Sequence, residues 1–148
     1  MNACGFELRG AVNVPAVLQP IYISGGGSTA VGRLLSERLD LSGTRLTRDA
    51  REARVRIEVL NERRSSRVAA VDRNGKVLAY ELGYEFRFVA RDDRGQELIP
   101  PQAVSVTRTL DNPDVEVLGK QAETEMVYDD MQRESVEVLL ARLNAALR

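Results

Sequence analysis

Hydrophobic and polar residues alternate through the middle of the chain with the two-residue period of half-buried strands. From Ala53 to Val59, apolar residues at odd positions alternate with charged residues. From Leu78 to Phe88, every even position is apolar, and polar residues or glycine fill most odd positions. Successive side chains of a strand point to opposite faces of its sheet. Each run therefore predicts a strand with one face in a core.

The dipeptide Asn74-Gly75 lies between these two runs and predicts a β-hairpin. A two-residue type I′ turn requires positive φ at both positions, which Asn and Gly tolerate best. Such a turn would place Val71 opposite Leu78, so that apolar side chains meet across the strands. The same register sets polar residues 63–67 opposite apolar ones. We therefore expect a bulge or a divergence of the strands between residues 60 and 68.

Apolar residues with helical spacing predict two helices. The first begins after Ser28 or Thr29, either of which is a good N-cap, and ends at about Leu41 before Ser42-Gly43. The second runs from about Val117 to Leu147 without a proline. The predicted buried positions are Val31, Leu34, Leu35 and Leu39 in the first helix, and Val127, Met131, Val138, Leu139 and Leu143 in the second.

Two further strands complete the expected fold. One covers Val17-Leu18 and Ile21–Ile23 around Pro20, and the other runs from 103 to 110 after Pro100-Pro101 breaks the chain. The element order is β-α-β-β-β-α. The simplest arrangement that buries every apolar stripe is an α+β domain over residues 17–148, with a four-stranded mixed or antiparallel sheet and both helices on one face. We expect residues 1–16 to form an irregular lead-in.

Composition excludes several classes of function. The 148-residue chain contains no histidine and one cysteine, which excludes His-dependent triads, His-ligated metal sites, Cys-rich zinc sites and an internal disulfide. The net charge of -1 argues against nucleic acid as a partner. We expect no catalytic residue, no cofactor and no metal. Paired acids such as Asp129-Asp130 point in different directions on a helix and are interpreted as a solvated face.

Charge is unevenly distributed along the chain. All but Lys76 and Lys120 of the 21 basic residues are arginine, whose planar group suits phosphate recognition, although a genomic codon bias would produce the same composition. Residues 45–73 are net basic and residues 111–137 are net acidic. This segregation predicts one electropositive and one electronegative side of the molecule.

Cys4 follows Ala3 near the start of the chain. A small residue before a cysteine is typical of the cleavage point of a bacterial lipoprotein signal, after which the thiol receives a lipid. An incidental cysteine in a frayed terminus is the alternative. Lipid chains contribute about 0.8 kcal/mol per buried methylene, so a multiply acylated Cys4 would anchor the protein firmly to a membrane.

Motifs in sequence order resemble those of the LptE family, the lipopolysaccharide-assembly lipoproteins of the Gram-negative outer membrane. They cover nearly the whole chain: Cys4-Gly5-Phe6-Glu7-Leu8-Arg9, Val14-Pro15, Arg73-Asn74-Gly75 leading to Tyr80, Asp111-Asn112-Pro113, and Met126 with Met131. The spacing from Asp111 to Lys120 is about one residue longer than the family pattern. The resemblance implies two helices on a four-stranded sheet.

The resemblance also implies a function. Such a protein is a non-catalytic lipoprotein, anchored through Cys4 in the cell outer membrane and facing the periplasm. It plugs the lumen of an LptD-type β-barrel, assists assembly of that barrel and binds lipopolysaccharide. A free-standing periplasmic lipid- or ligand-binding lipoprotein without a barrel partner is the alternative, and co-purification with a large barrel would separate the two.

Arg73, Lys76 and Lys120 are the expected lipopolysaccharide-binding residues. Arg73 and Lys76 flank the predicted hairpin turn, where a cation can reach solvent, and Lys120 is a cation within an acidic stretch. The resemblance implies a glycolipid-binding role for Arg73 and for a basic partner at Lys120. The alternatives are a solubilising arginine at the turn and an ion pair of Lys120 with Glu116 or Glu123 inside the helix, worth a few tenths of a kcal/mol.

Overall fold

The computed structural model describes residues 12–112 and 117–148. Its elements are β1 (Ile21–Ser24), α1 (Ala30–Leu41), β2 (Val55–Val71), β3 (Val77–Asp92), β4 (Glu97–Asp111) and α2 (Val117–Ala146). The strands form one sheet in the order β1-β2-β3-β4. β1 pairs with β2 in parallel, and the other pairs are antiparallel. The predicted α+β class, mixed sheet and element order are confirmed.

Both helices cover the same face of the sheet. Arg38 of α1 forms an ion pair with Glu137 of α2 at 2.7 Å, and the two helices share one core with the inward residues of all four strands. The largest fully buried side chains of this core include Tyr84, Phe86 and Phe88 on β3 and Leu35, Leu39, Met131, Leu139 and Leu143 on the helices. The other face of the sheet carries charged side chains.

The predicted helix boundaries and most of the predicted stripe are confirmed. The Thr29 hydroxyl accepts a hydrogen bond from the Gly32 amide at 3.0 Å and caps α1. Val31, Leu35 and Leu39 are buried, and Leu34 is half-buried. In α2, Val127 and Val138 only border the core, and buried Tyr128, Val136 and Leu140 extend it. Met126, which the family motifs include with Met131, has an exposed side chain and does not belong to the core.

Two predicted elements differ at their ends. Val17-Leu18 belongs to a short 3-10 helix, Ala16–Leu18, and not to a strand. β4 continues through Pro100-Pro101 instead of beginning after them. Because β4 is an edge strand, a proline there can turn its missing N–H away from the ladder. A register irregularity opposite Ala90 accompanies this passage.

The β2–β3 hairpin has a different turn and register from those predicted. Val71 pairs with Val77 rather than with Leu78. The expected bulge is confirmed: the register shifts between Leu60 and Arg63, where Asn61 has a φ of 55°.

Cys4 lies outside the described residues, and the domain boundary at residue 17 stays a prediction. Val12 and Val14 are nevertheless buried in the core.

Candidate functional site

The β2–β3 turn presents two of the three predicted cations. Asp72 organises a three-residue loop, because its Oδ1 accepts hydrogen bonds from the amides of Asn74 at 2.8 Å and Lys76 at 2.9 Å. Gly75 has a φ of +81°, and Asn74 is not among the positive-φ residues of the described chain. The predicted type I′ turn, which requires positive φ at both Asn74 and Gly75, is therefore wrong. Arg73 and Lys76 are exposed on either side of this loop.

Lys120 lies in the first turns of α2 and reaches β3 near the turn of the hairpin. Its Nζ donates a hydrogen bond to the Asn112 Oδ1 and lies 4.5 Å from the centroid of the Tyr80 ring. An ammonium over an aromatic face is attracted by the ring quadrupole. Within the described residues Lys120 forms no ion pair with Glu123; Glu116 lies outside them.

Asn112 joins three segments at this end of the molecule. Its amide nitrogen Nδ2 donates to the carbonyl of Val77 at 2.7 Å, and its backbone N–H donates to the carbonyl of Leu78 at 2.8 Å. The oxygen of the same side chain accepts from Lys120. Asn112 thereby fixes the end of β4 and the start of α2 against the hairpin, and it places Lys120 at the same end of the sheet as Arg73 and Lys76.

Exposed apolar side chains accompany these cations. Val71 and Leu78 flank the turn and are 54% and 47% exposed. Leu118, two residues before Lys120, is 78% exposed. Together, the three cations and these apolar residues form the hairpin-end surface. Such a surface can contact phosphate groups with its cations and acyl chains with its apolar side chains.

Sequence reasoning missed the roles of Asn112 and Tyr80 and the apolar component of the hairpin-end surface. Asn112 and Tyr80 stand in the family motifs, but a motif does not show that their side chains meet Lys120. The exposure of Leu78 also goes against the alternation, which assigns that position to the buried face. The sequence did hold a signal for this exposure, because Leu78 is the first residue of the even-numbered apolar series and lies beside the turn, where the core ends.

The glycine-rich loop before α1 follows β1, which ends opposite Glu58 of β2, and lies away from the hairpin-end surface. An open cleft of about 770 Å³ is lined by Gly25, Gly26, Gly27 and neighbouring residues of β1. The Ala30 N–H, in the first turn of α1, already donates to the Glu62 carboxylate at 3.2 Å. The amides of Gly26, Ser28 and Thr29 also donate to backbone carbonyls, so this segment forms a turn and offers few free amides to a phosphate.

None of the helices in residues 12–112 and 117–148 contains an apolar stretch long enough to cross a membrane. Among the same residues, no group of three or more His, Cys, Asp or Glu side chains is arranged to hold a metal ion.

Comparison with known proteins identifies the family. The LptE family model, described as lipopolysaccharide-assembly, matches residues 18–143. The LPS-assembly lipoprotein LptE of Pectobacterium atrosepticum is 30% identical over 143 residues, covering 95% of this chain and 76% of that protein. The corresponding protein of Yersinia pestis is 27% identical over 148 residues, covering 95% of this chain and 68% of that protein.

Solved structures agree with this result. Lipoprotein B of Nitrosomonas europaea superposes with a TM-score of 0.79 at 29% identity, covering 95% of this chain and 91% of that one. The rare lipoprotein B of Shewanella oneidensis shares the fold, with a TM-score of 0.73 at 18% identity over 84% of this chain and 92% of that one. The expectation of a non-catalytic lipopolysaccharide-assembly protein is confirmed. The chain belongs to the LptE family.

Proposed function

We propose that this protein is the lipid-anchored subunit of an outer-membrane machine that inserts lipopolysaccharide. In this proposal it faces the periplasm, plugs the lumen of an LptD-type β-barrel, assists assembly of that barrel and contacts lipopolysaccharide through Arg73, Lys76 and Lys120. Membership of the LptE family supports the general role. The hairpin-end surface is the observation that supports glycolipid contact, because it combines the exposed cations Arg73 and Lys76 and the half-buried Lys120 with exposed apolar side chains.

The chemistry of the hairpin-end surface suits an amphiphile with phosphates. The Arg73 guanidinium can bind a phosphate through two parallel hydrogen bonds. Lys120 already shares its ammonium with Asn112 and the Tyr80 ring, so a phosphate would meet a cation that is held in place. Val71 and Leu78 beside the turn provide apolar surface for the first methylenes of an acyl chain.

Charge reversal tests glycolipid binding. The Arg73→Asp, Lys120→Asp double variant should retain at most about one tenth of the lipopolysaccharide binding in a pull-down, because each lost charge-assisted hydrogen bond is worth roughly 1.5–3 kcal/mol. Lys120→Met removes the charge but keeps an apolar side chain of similar length, so it tests the charge of Lys120 alone. Lys76→Gln tests the third cation. The matched control reverses Arg87 and Arg94, two exposed arginines away from this end. Equal loss in the control would contradict a specific site.

Co-expression tests the barrel partner. A plug should co-purify with a large outer-membrane barrel, and the barrel should accumulate poorly in its absence. A free-standing periplasmic binder, the second candidate, would purify alone while retaining lipopolysaccharide binding. The two outcomes are distinct, since the first concerns complex formation and the second concerns the hairpin-end surface.

Cys4 is the proposed lipid anchor. When the chain is expressed behind a lipoprotein signal that ends before Cys4, metabolic labelling with a palmitate analogue should mark the protein. The same label should be absent from Cys4→Ser. Labelling that persists in the Cys4→Ser variant would remove this assignment without affecting the glycolipid site.

A further inference from the structure

Strand β2 extends far beyond its neighbour β1. β1 pairs with β2 only from Ile21 opposite Val55 to Ser24 opposite Glu58, whereas β2 continues to Val71 and keeps β3 on its other side. Within residues 12–112 and 117–148, no strand lies against the outer edge of β2 beyond Glu58. Residues 63–71, here called the β2 edge, are all exposed. An antiparallel edge directs the N–H and C=O of every second residue outward, which makes it a template for another strand.

The β2 edge is held firmly by α2. Tyr128 Oη donates to the carbonyl of Ser65 at 2.6 Å. Arg64 forms an ion pair with Glu125 at 2.9 Å, and its guanidinium lies 4.7 Å from the centroid of the Tyr128 ring. The edge is therefore an ordered strand before any partner arrives, which lowers the entropic cost of pairing. The Ser65 carbonyl already accepts from Tyr128 and is not counted among the open groups of the edge.

Charge decides which strand fits the β2 edge. Arg63 and Arg67 lie on the face of the sheet opposite the helices, with 70% and 74% of their side chains exposed. The two arginines pair with Glu85 at 3.1 Å and Glu81 at 2.8 Å on β3. The side of each arginine that faces away from β3 lies toward the open edge. A strand added there would bring its same-face side chains within about 5 Å of these arginines, measured between Cβ atoms.

A second copy of this chain is a poor occupant. Antiparallel pairing of two β2 edges about Ser65 would set Arg63 of one copy opposite Arg67 of the other. Like charges directly opposite each other destabilise a ladder. Acidic side chains at alternate positions would instead meet both arginines favourably, and the intervening side chains would lie beside Ser66 and Val68 on the helix side.

We propose that the β2 edge binds an extended segment of another polypeptide by strand addition, and that this segment carries acidic residues at alternate positions. Backbone hydrogen bonds supply the affinity, and Arg63 and Arg67 supply the selectivity for acidic side chains. The proposal goes beyond the glycolipid and barrel functions above and depends on neither. Arg63 and Arg67 are distinct from the three hairpin cations, Val71 is the one residue that both surfaces include, and strand addition can be tested on the purified protein.

A synthetic peptide of about six residues, the usual strand length, tests the proposal. Glutamate alternates with valine in the probe, and lysine replaces glutamate in the control peptide. In NMR titrations of the whole chain, the acidic probe should shift the amide signals of residues 63–71 and slow their hydrogen exchange. The lysine peptide should bind more weakly by roughly fivefold or more, because two favourable cross-strand pairs become repulsive.

A charge swap gives the sharper result. In the Arg63→Glu, Arg67→Glu double variant, the preference should reverse, so that the lysine peptide binds better than the acidic one. A gain of binding cannot come from a protein that fails to fold. The matched control, Arg87→Glu with Arg94→Glu, changes the net charge equally away from the β2 edge and should retain the preference for the acidic peptide.

Several outcomes would overturn the proposal. Equal binding of both peptides would show general adsorption, and signal shifts centred on Arg73 would place the peptide on the hairpin end. Slow exchange of all the amides of residues 63–71 in the protein without peptide would show that the edge is already paired. Concentration-dependent dimerisation through this strand would identify a second copy as the occupant.

Discussion

Glu62 accepts a hydrogen bond from the phenol of Tyr84, a residue whose side chain is buried in the core. The second oxygen of the same carboxylate accepts from the Ala30 N–H at 3.2 Å. Glu62 reaches both groups because the bulge at Asn61 shifts the register of β2 relative to β3. The bulge therefore connects the sheet to the beginning of α1, where a negative charge is favoured by the helix dipole.

Removal of this carboxylate should destabilise the whole domain. We expect Glu62→Ala to lower the free energy of unfolding by about 1–3 kcal/mol, since a buried phenol loses its acceptor and α1 loses an N-terminal partner. Urea denaturation measures this change. Glu85→Ala is the matched control, because Glu85 pairs with the exposed Arg63, and such surface pairs contribute at most about 1 kcal/mol. Equal losses would show that Glu62 acts only as a surface residue.

Alkaline pH should destabilise the fold through Tyr84. Burial raises the pKa of the Tyr84 phenol above its ordinary value of 10.0, and the hydrogen bond to Glu62 raises it further. The unfolded chain releases this proton near pH 10, while the native chain retains it. The stabilising effect is therefore complete below about pH 10 and declines as the pH rises toward the raised native pKa, by at most about 1.4 kcal/mol per pH unit.

Tyr84→Phe checks this pH dependence. Its free energy of unfolding should fall less steeply above pH 10 than that of the wild type in a series of urea denaturation curves. Part of the slope should remain, because burial also raises the pKa of Tyr128, against the opposing charge of Arg64. An unchanged slope in Tyr84→Phe would show that this phenol does not couple to folding.

The sequence predicted the strands and helices because one face of each element lies in a single core. The alternation from Leu78 to Phe88 and the helical spacing of Val31, Leu35 and Leu39 report that burial directly. Strand ends were harder to predict. Proline at positions 100 and 101 usually interrupts a strand, but β4 is an edge and tolerates it. Which strand forms the edge is a property of the assembled sheet.

The candidate site was also predictable only in part. The turn motif at Asn74-Gly75 is enough to predict that Arg73 and Lys76 are exposed, and the structure shows both exposed at the turn. The contact of Lys120 with Asn112 and Tyr80 depends on where α2 begins relative to the hairpin, which local patterns do not encode. The type I′ prediction failed because Asp72 accepts two loop amides and so stabilises a three-residue loop.

Gly32 should not tolerate a methyl group. A Cβ at this position would lie 2.6 Å from the Gly25 carbonyl oxygen and 2.8 Å from the Gly26 Cα. Because backbone atoms cannot move aside easily, Gly32→Ala should lower the free energy of unfolding by about 1–3 kcal/mol, despite the better helix propensity of alanine. Thermal or urea denaturation provides the measurement.

Gly119 in α2 is the matched helical glycine, because a Cβ added there would have nothing within 4 Å beyond its chain neighbours and the backbone of its own helix. Gly119→Ala should therefore stabilise the protein, by up to about 1 kcal/mol, since alanine is the better helix former. Opposite signs at the two positions are the expected result. A stabilising effect at Gly32 would mean that the loop of Gly25 and Gly26 does not pack against α1 as closely as the structure indicates.

Asn112 should stabilise the hairpin end through both the nitrogen and the oxygen of its side-chain amide. Asn112→Ala leaves the carbonyl of Val77 without its donor and Lys120 without its acceptor, so we expect a loss of about 1–2 kcal/mol in unfolding free energy. Asn112→Asp keeps an oxygen for Lys120 and adds an opposite charge, and should lose less. Asn74→Ala, at an exposed turn position, should remain within about 0.5 kcal/mol of the wild type. Equal losses in the Ala and Asp variants would show that the Lys120 contact contributes nothing, and Lys120 would then be held by the Tyr80 ring alone.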